Sequence, residues 1–371
     1  MDLIIHREEL VRALGRAQGI VERRSSSPVL GAVLVQADGE RVRFTATDKA
    51  MTVIADYTAT ITTSGEVAVD AVNFFQVAKV LSGDIVTLKM ADGGKLEVKA
   101  GGSVFKLHTF PASDFPVTPA LDQSRTMNVD AAALRSVVDR VHFAIAPDDN
   151  RYGLNGAHVE DTAAASGSVV RFVGTDGNRL CWAQAPYRGE LGIGRKMLLP
   201  RKGLVEIRKL LDGYEGEVGI SFGDRAAVVQ FPGVMVHLRL LEADFPDYRQ
   251  VLPSNFKRRV LLERDAFREA LRRVAILAAD TSRSVKFQFD GDGLTLSAKK
   301  LDAGESRDNV PCELVGEPIS MGFNAQFVLD VLAAISGPRI SVELGEALSP
   351  CIVRDPDDEN AMFVVMPVRL D

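Results

Sequence analysis

Two acidic runs are the first residues that could do chemistry: Asp148-Asp149 and Asp357-Asp358-Glu359. Clustered carboxylates can hold a divalent cation or move a proton. Acidic runs beside Pro and Asn, as in Pro147-Asp148-Asp149-Asn150, have the composition of solvated turns instead. The histidines, His6, His108, His142, His158 and His237, are scattered, with no HExxH pattern and no pair at metal-ligand spacing. Cys181, Cys312 and Cys351 are odd in number, far apart and without a CxxC pair, which favours isolated thiols in a reducing cytoplasm over a zinc site or disulfides. Gly93-Gly94-Lys95 lacks the earlier glycine of a phosphate cradle, and Gly192-Ile193-Gly194 lacks the third glycine of a dinucleotide fingerprint, so both read as turns. No GxSxG elbow occurs. The sequence therefore predicts no catalytic site, no metal and no cofactor. The competing reading is a metal-dependent enzyme, such as a hydrolase, built on one of the acidic runs.

Basic residues at helical spacing suggest a different chemistry. Arg12 and Arg16 are four apart, Arg268 and Arg272 repeat that spacing, and Arg201, Lys202, Arg208 and Lys209 crowd one segment. Residues four apart share a helix face. Such faces are either ordinary solvated surface or a set of phosphate-facing helices. The net charge of −6 argues against general coating of nucleic acid, but a local basic surface needs only an uneven distribution. The N-terminus meets charge too early for a signal peptide, and no apolar run approaches the roughly 20 residues of a membrane span. A cytoplasmic location is expected.

The elements that must position these residues repeat three times. Apolar stripes Phe74/Val77/Leu81, Leu204/Ile207/Leu211 and Val328/Val331/Ile335 each predict one buried helix face. Each ends at a glycine, Gly83, Gly213 or Gly337, read as the left-handed residue that stops a helix. A longer helix opens each copy, with stripes Leu10/Leu14/Ala17, Leu134/Val138/Val141 and Phe267/Leu271/Val274. Alternating strands follow, among them 217–222, 339–344 and the hairpin 95–99 with 104–109. Arg43 to Asp48 matches Arg171 to Asp176, and Asp114-Phe115-Pro116 matches Asp244-Phe245-Pro246, at nearly the helix offset. With 371 residues the chain reads as three α+β domains, 1–124, 125–255 and 256–371, each with two helices and mainly antiparallel sheet.

At this point the residues match a known family. Arg151-Tyr152-Gly153-Leu154-Asn155-Gly156, Gly174 to Leu180, Leu199 to Gly203, Asp244 to Arg249 and the tail Val364 to Leu370 resemble, in this order and spacing, the bacterial sliding clamps, the beta subunits of DNA polymerase III. The resemblance covers the full length. It implies a non-enzymatic processivity factor: a head-to-tail homodimeric ring of six clamp domains around duplex DNA, with helices lining the hole. It also implies tethering of the polymerase catalytic subunit, clamp-loader subunits, and other polymerases and repair proteins through short peptides. A clamp-fold paralogue acting mainly as a peptide scaffold is the alternative.

By the same resemblance, Arg24, Tyr152, Arg201 and Lys202 are the DNA-contact candidates, and Phe105, Ile276 and Leu277 the dimer-interface candidates. The peptide groove would comprise Leu154, Thr175, Gly177, Asn178, Arg179, Leu180, Pro246, Gln250, Val251, Pro350, Val364, Val365, Met366, Pro367, Val368 and Arg369. Gly153 stands where the family often has a second tyrosine, Asn178 where it has His or Ser, and Gln250 where some members are basic. Asp371 follows the family's familiar Arg-Leu ending.

Overall fold

Six amphipathic helices carry the apolar stripes inward: α1 (Arg7–Gln18), α2 (Ala71–Val80), α3 (Ala131–Val141), α4 (Arg201–Leu211), α5 (Arg264–Ala275) and α6 (Ala325–Ala334). They belong to a computed structural model of the chain, which describes every residue except 23–26, 119–124, 148–152, 165–166, 192–196, 254, 280–281 and 371. The long-helix stripes are buried in full: Leu10, Leu14 and Ala17; Leu134, Val138 and Val141; Phe267, Leu271 and Val274. Within each repeat the two helices pack on each other, α1 on α2, α3 on α4 and α5 on α6. Three of the six start on a side-chain cap. Asp70 accepts from the Asn73 amide at 2.8 Å, Asp130 from Ala133 at 3.0 Å and Asn324 from Gln326 at 2.9 Å. Each satisfies one of the otherwise orphaned first-turn donors.

The helix-stop glycines divide. Gly213 has φ +70° and Gly83 has φ +88°, the left-handed backbone expected of them. Gly337 does not adopt it, which corrects the reading of all three as left-handed stops. Its amide donates to Asp355 Oδ2 at 3.0 Å, and a Cβ there would collide with that carboxylate. The third glycine is kept small by a side chain from the turn after the Cys351–Arg354 strand, and not by helix-end geometry.

The chain forms two compact units. The first holds residues 1–128, 189–192 and 217–240. Its sheet runs, neighbour to neighbour, through strands Glu217–Phe222, Ala226–Phe231, Val234–Arg239, Met51–Thr58, Arg41–Thr47, Ala32–Asp38, Gly65–Asp70, Ser103–Phe110, Lys95–Ala100, Ile85–Ala91, Asp2–His6 and Thr60–Thr63. Its pairings among the described residues are antiparallel, and Val234 opposite Ala55 continues one repeat's sheet into the next. The second unit holds 129–188, 193–216 and 241–371. Its larger sheet has the order Met197–Pro200, Gly156–Ala164, Gly167–Thr175, Arg179–Pro186, Ala361–Val365, Cys351–Arg354, Arg339–Leu344, Arg258–Glu263 and Cys312–Val315. A four-stranded sheet accompanies it, ordered Gly304–Val310, Gly293–Lys300, Ser284–Asp290 and Ile319–Asn324. Again two repeats share one sheet, because Arg179–Pro186 pairs with Ala361–Val365. Main-chain bonds at such a seam leave neither strand with an open edge there.

Several strand edges lack a partner along most or all of their length among the described residues, those of Ser103–Phe110 and Gly304–Val310 among them. Ser103–Phe110 pairs with Lys95–Ala100 along its length but meets its other neighbour only at Thr109 and Phe110. Gly304–Val310 ends the four-stranded sheet.

Candidate functional site

The seam in the second unit positions most of the groove candidates. Leu180 lies opposite Val364 and Arg179 opposite Val365. Because side chains alternate across a sheet, the first pair shares one face and the second pair the other. Leu180 and Val364 join a cluster with Val173, Trp182, Leu198, Phe245, Tyr248, Ile352 and Met362, against which Leu241 and Leu252 also pack. Above this apolar floor the chain leaves hydrophobic surface at Val251, half exposed, and at Met366, 37% exposed. Pro246 and Gln250 are exposed beside them, and Leu154, Pro350, Pro367 and Val368 are partly so. Exposed apolar side chains beside a buried apolar cluster, with a few polar groups among them, suit a short peptide with hydrophobic anchors.

The hairpin before Leu180 is held by its own polar atoms. Thr175 Oγ1 donates to the Arg179 carbonyl at 2.7 Å and accepts from the Gly177 amide at 3.1 Å. Asp176 Oδ1 accepts from the amides of Asn178 and Arg179 at 2.9 and 3.0 Å. The Asn178 carbonyl then accepts from the Met366 amide at 2.8 Å, so the hairpin and the C-terminal tail share a rim. The tail is fastened again where the Val368 amide donates to the Gly322 carbonyl at 2.8 Å. Arg369 is exposed beyond that bond.

Arg179 and Val365 take the helix-covered face. Val365 has no exposed surface, so of the groove candidates it has nothing to offer a ligand. Arg179 is a rivet. Its guanidinium donates to Asp176 Oδ2 at 3.1 Å, Asp330 Oδ2 at 2.5 Å and the Phe143 carbonyl at 2.7 Å. The rings of Phe143 and Phe327 lie 5.1 and 4.7 Å from it, close enough for cation–π attraction. None of these partners was legible as such in the sequence, since Asp330 lies 151 residues away.

A second support was also missed: Glu160, under the Asp244 to Arg249 segment. Its carboxylate accepts from Tyr248 Oη at 2.6 Å and from Arg249 Nη2 at 2.7 Å, and His158 Nε2 stands 3.6 Å away. His158 in turn stacks on Phe245, with centroids 5.2 Å apart. Burial works against the charge on Glu160, but hydrogen bonds from His158, Tyr248 and Arg249 outweigh it and hold the carboxyl at about 2. A depressed carboxyl stabilises the fold above its ordinary pKa, and that contribution is lost as the pH falls from about 4.5 toward 2. Replacing Glu160 by Gln should therefore cost roughly 1–3 kcal/mol at pH 7. The gap from wild type in urea midpoint should narrow on acidification to pH 3; a gap independent of pH would show that the charge is not what matters.

The basic candidates fall into two groups. Arg24 and Tyr152 lie outside the described residues, as do Asp148, Asp149 and Asp371. Arg201 and Lys202 open α4, a first turn without an acidic residue. Cations there oppose the helix dipole, so the placement works against helix stability and asks for another reason. Arg201 Nε is buried without a hydrogen-bond partner among the described residues. The other helix arginines singled out by spacing are already engaged. Arg16 donates to Tyr57 Oη at 2.8 Å, Arg272 to Glu269 at 2.9 Å, and Arg208, in the last turn of α4, to Asp139. Arg268 lies 3.4 Å from Asp265 and Arg12 3.9 Å from Glu8.

The acidic turn has a structural use. Asp358 pairs with Arg140 at 2.6 Å, and Asp355 holds the Gly337 and Asp357 amides. Among the described residues no group of three or more His, Cys, Asp or Glu could hold a metal ion. Cys181 and Cys351 are buried, and burial pushes both thiols up, Cys351 to about 12. Such thiols are poor nucleophiles at neutral pH.

Of the remaining candidates, Ile276 is 75% exposed just after α5, with Leu277 half-buried beside it. Phe105 is half-buried on the open-edged Ser103–Phe110 strand, where Val98 lies opposite.

Comparison with known proteins covers the whole chain. Residues 1–119, 128–247 and 249–369 match the N-terminal, central and C-terminal domains of the DNA polymerase III beta subunit. The chain is 34% identical to the beta sliding clamp of Caulobacter vibrioides over 373 residues, covering both proteins in full. It is similarly 34% identical to that of Pseudomonas aeruginosa, again over 100% of each. A crystal structure of the Caulobacter crescentus beta sliding clamp superposes with a TM-score of 0.96 at 33% identity, covering 100% of this chain and 99% of that one. The Pseudomonas aeruginosa clamp bound to griselimycin superposes at 0.93 with 32% identity and full coverage of both.

Proposed function

The chain belongs to the DNA polymerase III beta subunit family, the bacterial sliding clamps, and from that premise we propose that two copies close head to tail into a ring around duplex DNA. It is a processivity clamp built of three tandem clamp domains with antiparallel sheets, here bounded as 1–124, 125–255 and 256–371. Its work is topological and needs no bond-making step, so no catalytic residue is assigned. A replication clamp works where the chromosome is, in the cytoplasm; among the described residues no helix is long and apolar enough to cross a membrane.

Closure rests on two of the open edges. The Ser103–Phe110 strand of one protomer would meet the Gly304–Val310 strand of the other, with Phe105 received by Ile276 and Leu277. A head-to-tail contact of this kind closes only if the rotation per protomer completes a circle. Closing it would remove both edges. Inside the ring, Arg201 and Lys202, with Arg24 and Tyr152, would touch phosphates without reading bases. The prior pairing of Arg12, Arg16, Arg208, Arg268 and Arg272 keeps the remaining contact weak, as sliding requires.

The observation that carries the docking function is the shared rim of the Thr175 to Leu180 hairpin and the C-terminal tail over one apolar floor. There a linear peptide would place its hydrophobic anchors, the polymerase catalytic subunit, clamp-loader subunits and other polymerases and repair proteins each bringing one. Tethering raises the effective concentration of a polymerase at the primer end. An external ATP-driven loader would open the ring. The test is retention on DNA after loading. On closed circular DNA the protein should survive a high-salt wash, and linearising that DNA should release it. Equal loss from both forms would count against encirclement and favour a peptide scaffold.

A further inference from the structure

The seam between the first and second repeats is built on the same hydrogen bonds as the seam that carries the proposed groove. In the hairpin Thr47 to Met51, Thr47 Oγ1 donates to the Met51 carbonyl at 3.0 Å and accepts from the Lys49 amide at 3.0 Å. Asp48 Oδ1 accepts from the amides of Ala50 and Met51 at 2.9 and 2.6 Å. The Ala50 carbonyl accepts from the Arg239 amide at 2.8 Å. Each bond has its counterpart between Thr175 and Arg179 or at Met366. The left-handed backbone recurs too, with φ +70° at Lys49 and +87° at Gly177, although a side chain is strained there.

What differs is the floor. In strand register, Thr52 opposite His237 takes the place of Leu180 opposite Val364. Thr45 opposite Ile54 takes the place of Val173 opposite Trp182. Thr45 and Thr52 are buried, and His237 is half-buried. The apolar cluster at the second seam draws Ile352, Met362 and Val364 from the third repeat. At the first seam the corresponding cluster, Val29, Ala32, Leu34, Ala68 and Phe115, belongs to the first repeat alone. At the rim, exposed Lys49 and Arg239 stand where the other hairpin and tail have Gly177 and Met366.

We infer that Thr52 and His237 are specificity determinants: their polar floor refuses the hydrophobic peptide that Leu180 and Val364 accept, so each protomer offers one docking site although its chain builds the frame of two. The inference rests on the docking reading above and adds to it which residues confine the peptide to one seam. An apolar anchor covering the first floor would strip water from the Thr52 hydroxyl and the His237 imidazole while offering neither a hydrogen bond. That lost hydration offsets the gain from apolar contact. Thr52 Oγ1 lies 2.8 Å from Thr47 Oγ1, and His237 Nε2 lies 3.0 Å from Met235 Sδ, a weak partner. Burial holds the His237 imidazole below its ordinary pKa, so the floor is polar without being charged at neutral pH. Polar groups that a wrong placement would leave desolvated are a common source of specificity.

Exchanging the floors tests this in the full-length chain, with a short labelled peptide from the polymerase catalytic subunit carrying leucine and phenylalanine anchors. Calorimetric titration of the wild type should give one peptide per protomer. Thr52→Leu with His237→Val gives the first seam the apolar pair of the second. It should add a site, bringing the ratio to two, with an affinity within about 100-fold of the original. Deleting Met366 to Asp371 from that variant should weaken the original site and leave the added one. In the opposite sense, Leu180→Thr with Val364→Thr should weaken docking by about 30-fold or more while the rim keeps its bonds. Melting curves show whether each variant is folded, and if the first pair of substitutions is not tolerated the second pair decides alone. Three results would each overturn the floor assignment: a wild type that binds two peptides per protomer, a folded Thr52→Leu/His237→Val variant that still binds one, or a Leu180→Thr/Val364→Thr variant that binds as the wild type does. A wild type that binds no peptide, or binds it equally well without its tail, overturns the groove on which the assignment rests.

Discussion

Removing Met366 to Asp371 is expected to lower affinity for a polymerase-derived peptide by at least about 30-fold while the dimer persists. In the proposed groove the deleted segment would form one whole rim, including the 37% exposed Met366. Interface energies concentrate in a few apolar anchors, each costing roughly 2 kcal/mol or more when lost. The fold should survive, because the strand Ala361–Val365 keeps its pairing with Arg179–Pro186. The main-chain bonds given up are those from Met366 to Asn178 and from Val368 to Gly322. Fluorescence anisotropy with a labelled peptide measures the affinity and sedimentation the assembly. An unchanged affinity would refute the placement of the groove; a lost dimer would mean that the tail supports far more than its rim.

The second large effect is expected from Ile276→Asp, which should convert the dimer to a monomer at micromolar concentration. In the single protomer Ile276 is 75% exposed, so the fold should lose little, roughly 0.5–1 kcal/mol including an unfavourable anion at the C-terminal end of α5. In a closed ring the same carboxylate would be buried against Phe105 without a partner, a cost of several kcal/mol at each of two joints. The dimer dissociation constant should rise by about 1,000-fold or more. Thermal melting separates the two costs: a Tm near that of the wild-type monomer with a halved mass is the expected pair of results. A variant that stays dimeric places the joint elsewhere.

The helices were legible because burial imposes a period. Leu204 and Val328 each head a stripe that the structure buries, the Phe74 stripe is buried except at the half-buried Val77, and the repeat offset located the six helices within a few residues. The glycine stops were legible only in part. Gly83 and Gly213 owe their identity to local backbone, which a sequence pattern can suggest. Gly337 owes it to Asp355, a neighbour brought by folding. The groove candidates came from matched segments, and parity then sorted them: Leu180 and Val364 underlie the open face, while Arg179 and Val365 turn toward the helices. Glu160 had no signal at all, being one acidic residue on a strand whose partner Tyr248 is 88 residues away.

By itself, the sequence determined the threefold repeat, the inward face of each helix and the segments that resemble the sliding clamps. These are properties of local spacing, which the chain carries whether folded or not. The tertiary structure alone decided which strands of one repeat join the next. It continued the sheet from Val234–Arg239 into Met51–Thr58 and from Arg179–Pro186 into Ala361–Val365, so that the middle repeat contributes to both compact units. It also decided which arginines are already paired. Pairing partners lie far apart in the chain, and an alternating strand carries the same pattern whichever neighbour it takes. Only the register of the folded sheet settles that choice.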